Sequence, residues 1–283
     1  MPTVPSAHNR SQTVPLASPR ATRLFTANTN GEAHAAAARS LSEARASRVS
    51  VLQTDRDLAA AVPASDLPRV QRALWTAAIS FQPGPVDLAL APLPPTAFAL
   101  LVVKGVLTRQ TRLSDRPMIE LLLTGDILLP WHPSPIAPLT ETRLIALDEV
   151  RVAVLDHRFM KAAAIWPALM ITVQQRLNDQ QHRLATHGAI CQLPRVEQRV
   201  MAIMWLLAAR TGTVTPRGTE VAVTLTHEAL AQLTGSRRPT VSLAIKRLRQ
   251  RGYLERRDNG AWLLPQVPAA LMFEDLIADL SEI

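Results

Sequence analysis

Cysteine is almost missing from this chain of 283 residues, with Cys191 the only example. One thiol excludes an intramolecular disulfide framework and any iron–sulfur or zinc site made from four cysteines of a single chain. Aromatic residues are scarce at 4%, and lysine occurs only at Lys104, Lys161 and Lys246, so arginine carries most of the positive charge. No run of eighteen apolar residues occurs, and the longest, Ala97–Val103 and Val200–Ala209, suit a protein core rather than a membrane span. Near the N-terminus, Val14-Pro15-Leu16-Ala17 is too short for the apolar segment of a signal peptide. A soluble cytoplasmic protein without a membrane partner is therefore expected. Nucleophile elbow, Walker loop, GxGxxG and HExxH are all absent, so no enzymatic activity is expected either.

What is present is a 47% apolar composition and a net charge of +8. The first indicates a folded chain long enough for about two domains. The second favours a polyanionic partner and carries no information about fold.

Residues 1–50 are rich in Pro, Ser, Thr, Ala and Arg without a sustained apolar period, and read as a mobile, mildly basic arm. Residues 51–160 read as one domain. It opens with helical periodicity up to Ser80, in which Asp66 caps a helix carrying Val70, Leu74 and Ala78. Short strands follow at 97–103, 106–113, 118–123, 127–129, 143–147 and 151–155, separated by turns such as Ser114-Asp115-Arg116-Pro117 and Thr124-Gly125-Asp126. This pattern indicates a compact β-roll or barrel.

From Phe159 to Cys191 the chain reads as one long helix, with Pro167 at its start or at a break. Met170, Val173, Leu177, Gln180, Leu184, His187 and Cys191 recur in steps of three and four, the spacing of a coiled-coil seam. A parallel homodimer across residues 161–191 is the favoured reading. The other is a helix packed on its own β domain through the same stripe. Pro194 then acts as a hinge into a last domain, 192–283. That domain opens with a helix over 196–209 and a hairpin with strands at 213–215 and 221–225, and its tail, Phe273–Leu280, is amphipathic.

The most informative stretch is Leu225–Leu264. Thr226 is a suitable cap for a short helix bearing Ala229, Leu230 and Leu233, Gly235 breaks the chain, and Ser236 is placed to cap the next helix. There Val241, Ile245 and Leu248 form an apolar stripe at i, i+4 and i+7. Gly252 ends that helix, and Asp258-Asn259-Gly260 joins two short strands. Eight Lys/Arg side chains stand between 225 and 257 against Glu228 and Glu255. Helix, turn, basic helix and hairpin describe a winged helix-turn-helix that binds double-stranded DNA. The expected DNA-facing set is Thr226, His227, Ser236, Arg237, Arg238, Thr240, Ser242, Lys246 and Arg247.

The order of parts over about 85–264 resembles the Crp/Fnr family of bacterial transcription regulators. The likeness rests on Leu225-Thr226-His227-Glu228, on Leu233 through Ser242, on Lys246-Arg247-Leu248 and Gly252-Tyr253-Leu254, and more loosely on Gly105 and Gly125-Asp126. It implies an α+β architecture: an N-terminal cyclic-nucleotide-binding-like β-roll (double-stranded β-helix, jelly-roll-like), a long dimerisation helix and a C-terminal winged helix-turn-helix. It also implies a homodimer on a two-fold symmetric operator, with RNA polymerase as a further candidate partner. By position, Arg238 matches the arginine that enters the major groove, where it can bind guanine O6 and N7. Thr226, Thr240 and Ser242 match phosphate-contacting positions.

Departures from the family pattern limit the resemblance. Pro239 replaces a base-reading glutamate, and Leu243 stands where another arginine is common. After Gly125-Asp126 the chain reads ILLPWHPSPIAPLTETRLI, without the family's Gly-Glu pair, and only Arg143 is placed to meet a phosphate. Cyclic nucleotide is not expected, iron–sulfur is excluded by the cysteine count, and nothing sets ligand geometry for haem at His132, His157, His182, His187 or Cys191. No cofactor is assigned, and the effector is left open. A non-specific architectural or protein-interaction module is the alternative function.

Overall fold

The computed structural model describes residues 47–88, 91–112, 117–129, 141–223 and 225–265. The expectations for the arm up to residue 46, the turn at 114–116, the region around His132 and the tail Phe273–Leu280 lie outside these residues.

The N-terminal half is a β-roll of two antiparallel sheets. One runs β1 (Ser47–Ser50), β2 (Trp75–Phe81), β9 (Val150–Leu155), β4 (Ala99–Lys104), β7 (Ile127–Leu128). The other runs β3 (Gly84–Val86), β8 (Glu141–Ala146), β5 (Leu107–Arg112), β6 (Met118–Leu122). Alternation along the strands sends Leu100, Val102, Val152 and Val154 between the sheets, where they meet Phe81, Leu107 and Leu122. Their neighbours Ala99, Leu101, Ala153 and Leu155 face a helical layer. That layer contains α1 (Val51–Thr54), α2 (Arg56–Ala60), α3 (Leu67–Ala73), α4 (His157–Ile165) and the start of α5 (Ala168–Cys191). β4 and β9 are covered on both faces, which is why ALLVVK and VRVAVL read as near-continuous apolar runs.

Two expectations for this half are corrected. Residues 47–50, assigned to the arm, form β1, which pairs with β2 in the register Ser47↔Ala78 to Ser50↔Trp75. The helix expected to continue through Ala78 ends at Leu74, and Ala78 lies on β2 instead. WTAAISF is rich in aromatic and β-branched side chains, and β1 and β9 on either side supply its backbone partners. Asp66 precedes α3 but makes no side-chain cap. Its carboxylate accepts a hydrogen bond from Trp166 Nε1 at 3.2 Å.

The expected long helix is two helices, α4 and α5, with the break at Trp166–Pro167. After it come α6 (Val196–Thr211), β10 (Gly212–Thr215), β11 (Gly218–Val221), α7 (His227–Leu233), α8 (Arg238–Gln250), β12 (Glu255–Arg256) and β13 (Trp262–Pro265). The second strand of the first hairpin was expected at 221–225 but lies at 218–221. Gly218 makes this possible: its φ is +134° and a Cβ there would lie 2.1 Å from Leu264 O, so only glycine lets β11 pair this closely with β13.

On α5 the residues of the expected seam meet the chain's own domains. Val173 joins the β-roll's helical core, with Met170 and Leu177 packed against it. The backbone N–H of Ile127 donates to Gln180 Oε1 at 3.1 Å, and His187 Nε2 lies 2.6 Å from Leu233 O. Leu184 faces Ile203 and Leu207 across a cleft, and Cys191 Sγ is 3.7 Å from Leu233 O. The stripe is therefore covered by the chain's own two domains. An apolar stripe at this spacing is buried equally well by any apolar neighbour, and here the neighbours are intramolecular.

The core of the last domain crosses the junction. Val200, Met204, Leu207, Leu230, Leu233, Val241, Leu248 and Trp262 form one cluster with Ile119 and Leu123 of the β-roll. Polar groups join the same parts. Asp126, 3% exposed, pairs with Arg183 of α5 at 2.6 Å and Arg210 of α6 at 2.8 Å.

His187 makes this junction pH-dependent. Hydrogen bonding with Cys191 outweighs the opposing effect of burial, Leu233 O adds to it, and the His187 pKa is held above the ordinary histidine value. A raised folded pKa contributes stability that is complete below the unfolded value of about 6.5 and is lost as pH rises through the folded pKa. Calorimetry across this range should show a declining melting temperature in the wild type. The decline should be absent in His187→Gln; equal slopes would remove His187 as its source.

Candidate nucleic-acid interface

The two helices of the turn are held by local chemistry. Thr226 accepts a hydrogen bond from the Ala229 N–H at 3.1 Å and caps α7. At the end of α7 the Ser236 N–H donates to Ala231 O at 2.8 Å and the Gly235 N–H to Gln232 O at 3.3 Å, with Gly235 at φ +59°. α8 ends in the same pattern: Tyr253 N–H to Leu248 O at 3.0 Å, Gly252 N–H to Arg249 O at 3.1 Å, and φ +77° at Gly252. Both are Schellman closures, and each needs a residue that tolerates the left-handed region. Ser236 does not cap α8 as expected. Its hydroxyl donates to Thr234 O at 3.2 Å, and Arg237 occupies the cap position.

α8 buries Val241, Ala244, Ile245 and Leu248, which turns the rest of its surface outward. At 3.6 residues per turn the outward positions separate into three strips. Pro239, Leu243 and Lys246 occupy the middle, and Leu243 is 48% exposed. Arg238, Ser242 and Arg249 lie on the flank toward the start of α7, where His227 Nδ1 is 2.9 Å from Ser242 Oγ. Thr240 and Arg247 lie on the other flank.

This division revises the expected set. Thr226, His227, Arg238 and Ser242 come together. Arg237, Thr240 and Lys246 are exposed beside them. Arg247 instead pairs with Glu197 of α6 at 2.9 Å, so its charge is engaged within the domain. Among the described residues, Arg238 pairs with no carboxylate. Sequence reasoning did not select Arg249 and Arg256 for the interface. Arg249 was detectable, since it is eleven residues after Arg238 and therefore on the same flank. Arg256 was not, because its place depends on strand pairing: it lies over the Trp262 ring at 4.3 Å and donates to Leu225 O at 3.3 Å.

The electrostatics are one-sided. Burial, then Arg238, Arg256 and Arg249 in turn, hold the His227 pKa below the ordinary histidine value. At the wing, Glu255 is occupied by Arg217 at 3.1 Å and Arg257 at 3.7 Å. An exposed helix flanked by uncompensated guanidinium groups suits a polyanion.

Other candidate ligands are scattered. His157 is on the surface beside Thr96, His187 and Cys191 are at the junction, and His132 is outside the described residues. Among the described residues no group of three or more His, Cys, Asp or Glu is placed to hold a metal ion, and no helix is long and apolar enough to cross a membrane.

Residues 198–269 match the Crp-like helix-turn-helix domain family. No curated protein sequence matches the chain. Similar solved structures include a CooA mutant from Carboxydothermus hydrogenoformans, with 19% identity and a TM-score of 0.54, over 72% of this chain and 87% of that one. FixK2 from Bradyrhizobium japonicum is 18% identical with a TM-score of 0.53, over 68% of this chain and 93% of its own. The regulator CLP of Xanthomonas campestris, described as c-di-GMP responsive, is 17% identical with a TM-score of 0.51, over 72% of this chain and 100% of its own. The class is thus a β-roll joined by a long helix to a winged helix-turn-helix. More particularly, residues 198–269 carry a domain that matches the Crp-like helix-turn-helix family, in a fold similar to those of CooA and FixK2.

Proposed function

We propose that this protein is a cytoplasmic, non-enzymatic transcription regulator that binds a two-fold symmetric operator as a homodimer. The observation that carries this reading is α8, whose recognition face is exposed and whose Arg238 has no acidic partner among the described residues. Arg238 reads a guanine through O6 and N7, and Leu243 offers an apolar contact suited to a thymine methyl. Gly125-Asp126 is committed to fold and junction, which supports a sensor that has diverged from cyclic nucleotide binding.

With its apolar stripe covered, α5 offers a second copy its outer face. Ile171, Gln175, Asn178, His182, Ala185 and Ala189 recur there in steps of four and three, all exposed, with Ile171 at 57%. Ile165, 64% exposed at the end of α4, adds apolar surface at the same end. Ile171→Glu should give a folded monomer in sedimentation, losing only the stabilisation that dimerisation adds. Leu177→Glu should instead lower the melting temperature of the protomer itself, because Leu177 packs on its own β-roll. A dimeric Ile171→Glu would exclude this face.

Selection from a random duplex library with the purified full chain tests the function. A symmetric site bound on the order of 10³-fold over random DNA is the expected result. Salt-sensitive binding without sequence preference would favour an architectural role.

A further inference from the structure

The winged domain contains a cleft that the recognition helix does not account for. It lies between the start of α7, the C-terminal half of α8 and strands β12 and β13, and has a volume of about 250 Å³. Leu225, Ile245 and Trp262 make its apolar walls, while Thr226, His227, Arg249 and Arg256 supply the polar groups. Among the described residues, no carboxylate lines it. Two guanidinium groups meet there, and Arg256 is fixed both by the Trp262 ring and by Leu225 O. The His227 Nδ1–Ser242 contact leaves Nε2 uncommitted.

We propose that this cleft seats one backbone phosphate of the bound DNA strand in each half-site, gripped by Arg249 and Arg256, and couples its binding to protonation of His227. The proposal rests on the DNA-binding reading above and extends it to the C-terminal end of the recognition helix and to the wing. A tetrahedral, singly charged phosphodiester needs converging donors with no competing acid, and a guanidinium already stacked on an indole loses little freedom on binding it.

The charged groups around His227 are Arg238 and Arg249 from α8, Arg256 from β12 and Glu228 on its own helix. Glu255 is turned away toward Arg217 and Arg257. Burial first, and then the three cations, disfavour the imidazolium and hold the His227 pKa below the ordinary histidine value in the free protein. A phosphate brought into the cleft reverses that balance and raises the His227 pKa. DNA binding then takes up a proton, so affinity increases as pH falls through the range between the bound and free pKa values, and is flat outside it.

The test uses the full-length chain and fluorescence anisotropy on a selected site and on random duplex, across salt and pH. Arg249→Gln should weaken both DNAs by the same factor and leave the ratio between them intact. It should also reduce the salt slope by about one for each phosphate that the variant no longer neutralises. His227→Gln should abolish the pH dependence. Arg249 is exposed, so its variant should fold; Arg256→Lys is the second variant, with its fold checked by melting. Wild-type salt slope and pH profile in folded Arg249→Gln and His227→Gln would overturn the proposal while leaving DNA recognition intact. If the wild type binds neither DNA at low salt, both readings fail. Inorganic phosphate alone is the last arm: saturation at micromolar concentration, abolished in Arg249→Gln, would assign the cleft to a free anion and overturn the backbone assignment.

Discussion

Asp126→Ala should destabilise the protein by about 3 kcal/mol, the lower end of the cost of breaking a buried ion pair. The Asp126 side chain is 4% exposed and makes three bonds: to Arg183, to Arg210 and, through Oδ2, to the Leu123 N–H at 2.8 Å. Without it, two guanidinium groups from different helices face each other, with only the weaker fields of Asp179 and Glu120 acting on Arg183. Burial and the neighbouring Arg210 already hold the Arg183 pKa below its ordinary value despite Asp126. Both arginines keep some solvent contact, at 25% and 20%, which is why the lower end of the range applies. Asp126→Asn retains an acceptor for Leu123 and should cost less, which separates the turn from the ion pairs. Chemical denaturation gives the magnitude. Hydrogen exchange should show weakened protection concentrated where β6 meets α7. A cost below 0.5 kcal/mol, about the level of a wet surface pair, would mean that the junction is held by its apolar contacts alone.

Arg238→Ala should weaken binding to the selected operator by about 1–3 kcal/mol, roughly five- to 150-fold, while reducing affinity for random DNA much less. Its side chain is exposed on the first turn of α8 and supports no part of the fold, so the melting temperature should not change. Competition titrations on operators with the guanine replaced should show the variant to be indifferent at that base pair. Equal losses on selected and random DNA would make Arg238 a phosphate contact. Arg249→Gln predicts that second pattern, so the two arginines, eleven residues apart on one flank, are expected to fail in different ways.

Most of the strands between 97 and 155 and three of the four helix ends of the turn were legible in the sequence. Thr226, Gly235 and Gly252 act on backbone groups within five residues, and such signals survive without knowledge of the rest of the fold. Ser236 was misread because two caps were within its reach, and it took the one behind it. β1 and β2 were missed because a seven-residue segment of small and aromatic residues is ambiguous until its neighbours at Ser47 and Val152 are known. The charged residues show the same division. Arg247 and Arg249 are indistinguishable by composition, and only the position of Glu197 on α6 commits one of them to an ion pair within the domain.

By itself, the sequence determined the class of fold, the winged helix-turn-helix and the basic character of the stretch between 225 and 257. These follow from composition and from short-range periodicity, which act within a turn or a strand. The tertiary structure alone decided what covers the α5 stripe, that Asp126 ties the β-roll to the winged domain, and that Arg256 is brought against Trp262 beside His227. Each of these is a meeting of groups distant in the chain, and apolar stripes and arginines accept several partners with similar energy. Which partner they meet is decided only when the domains pack.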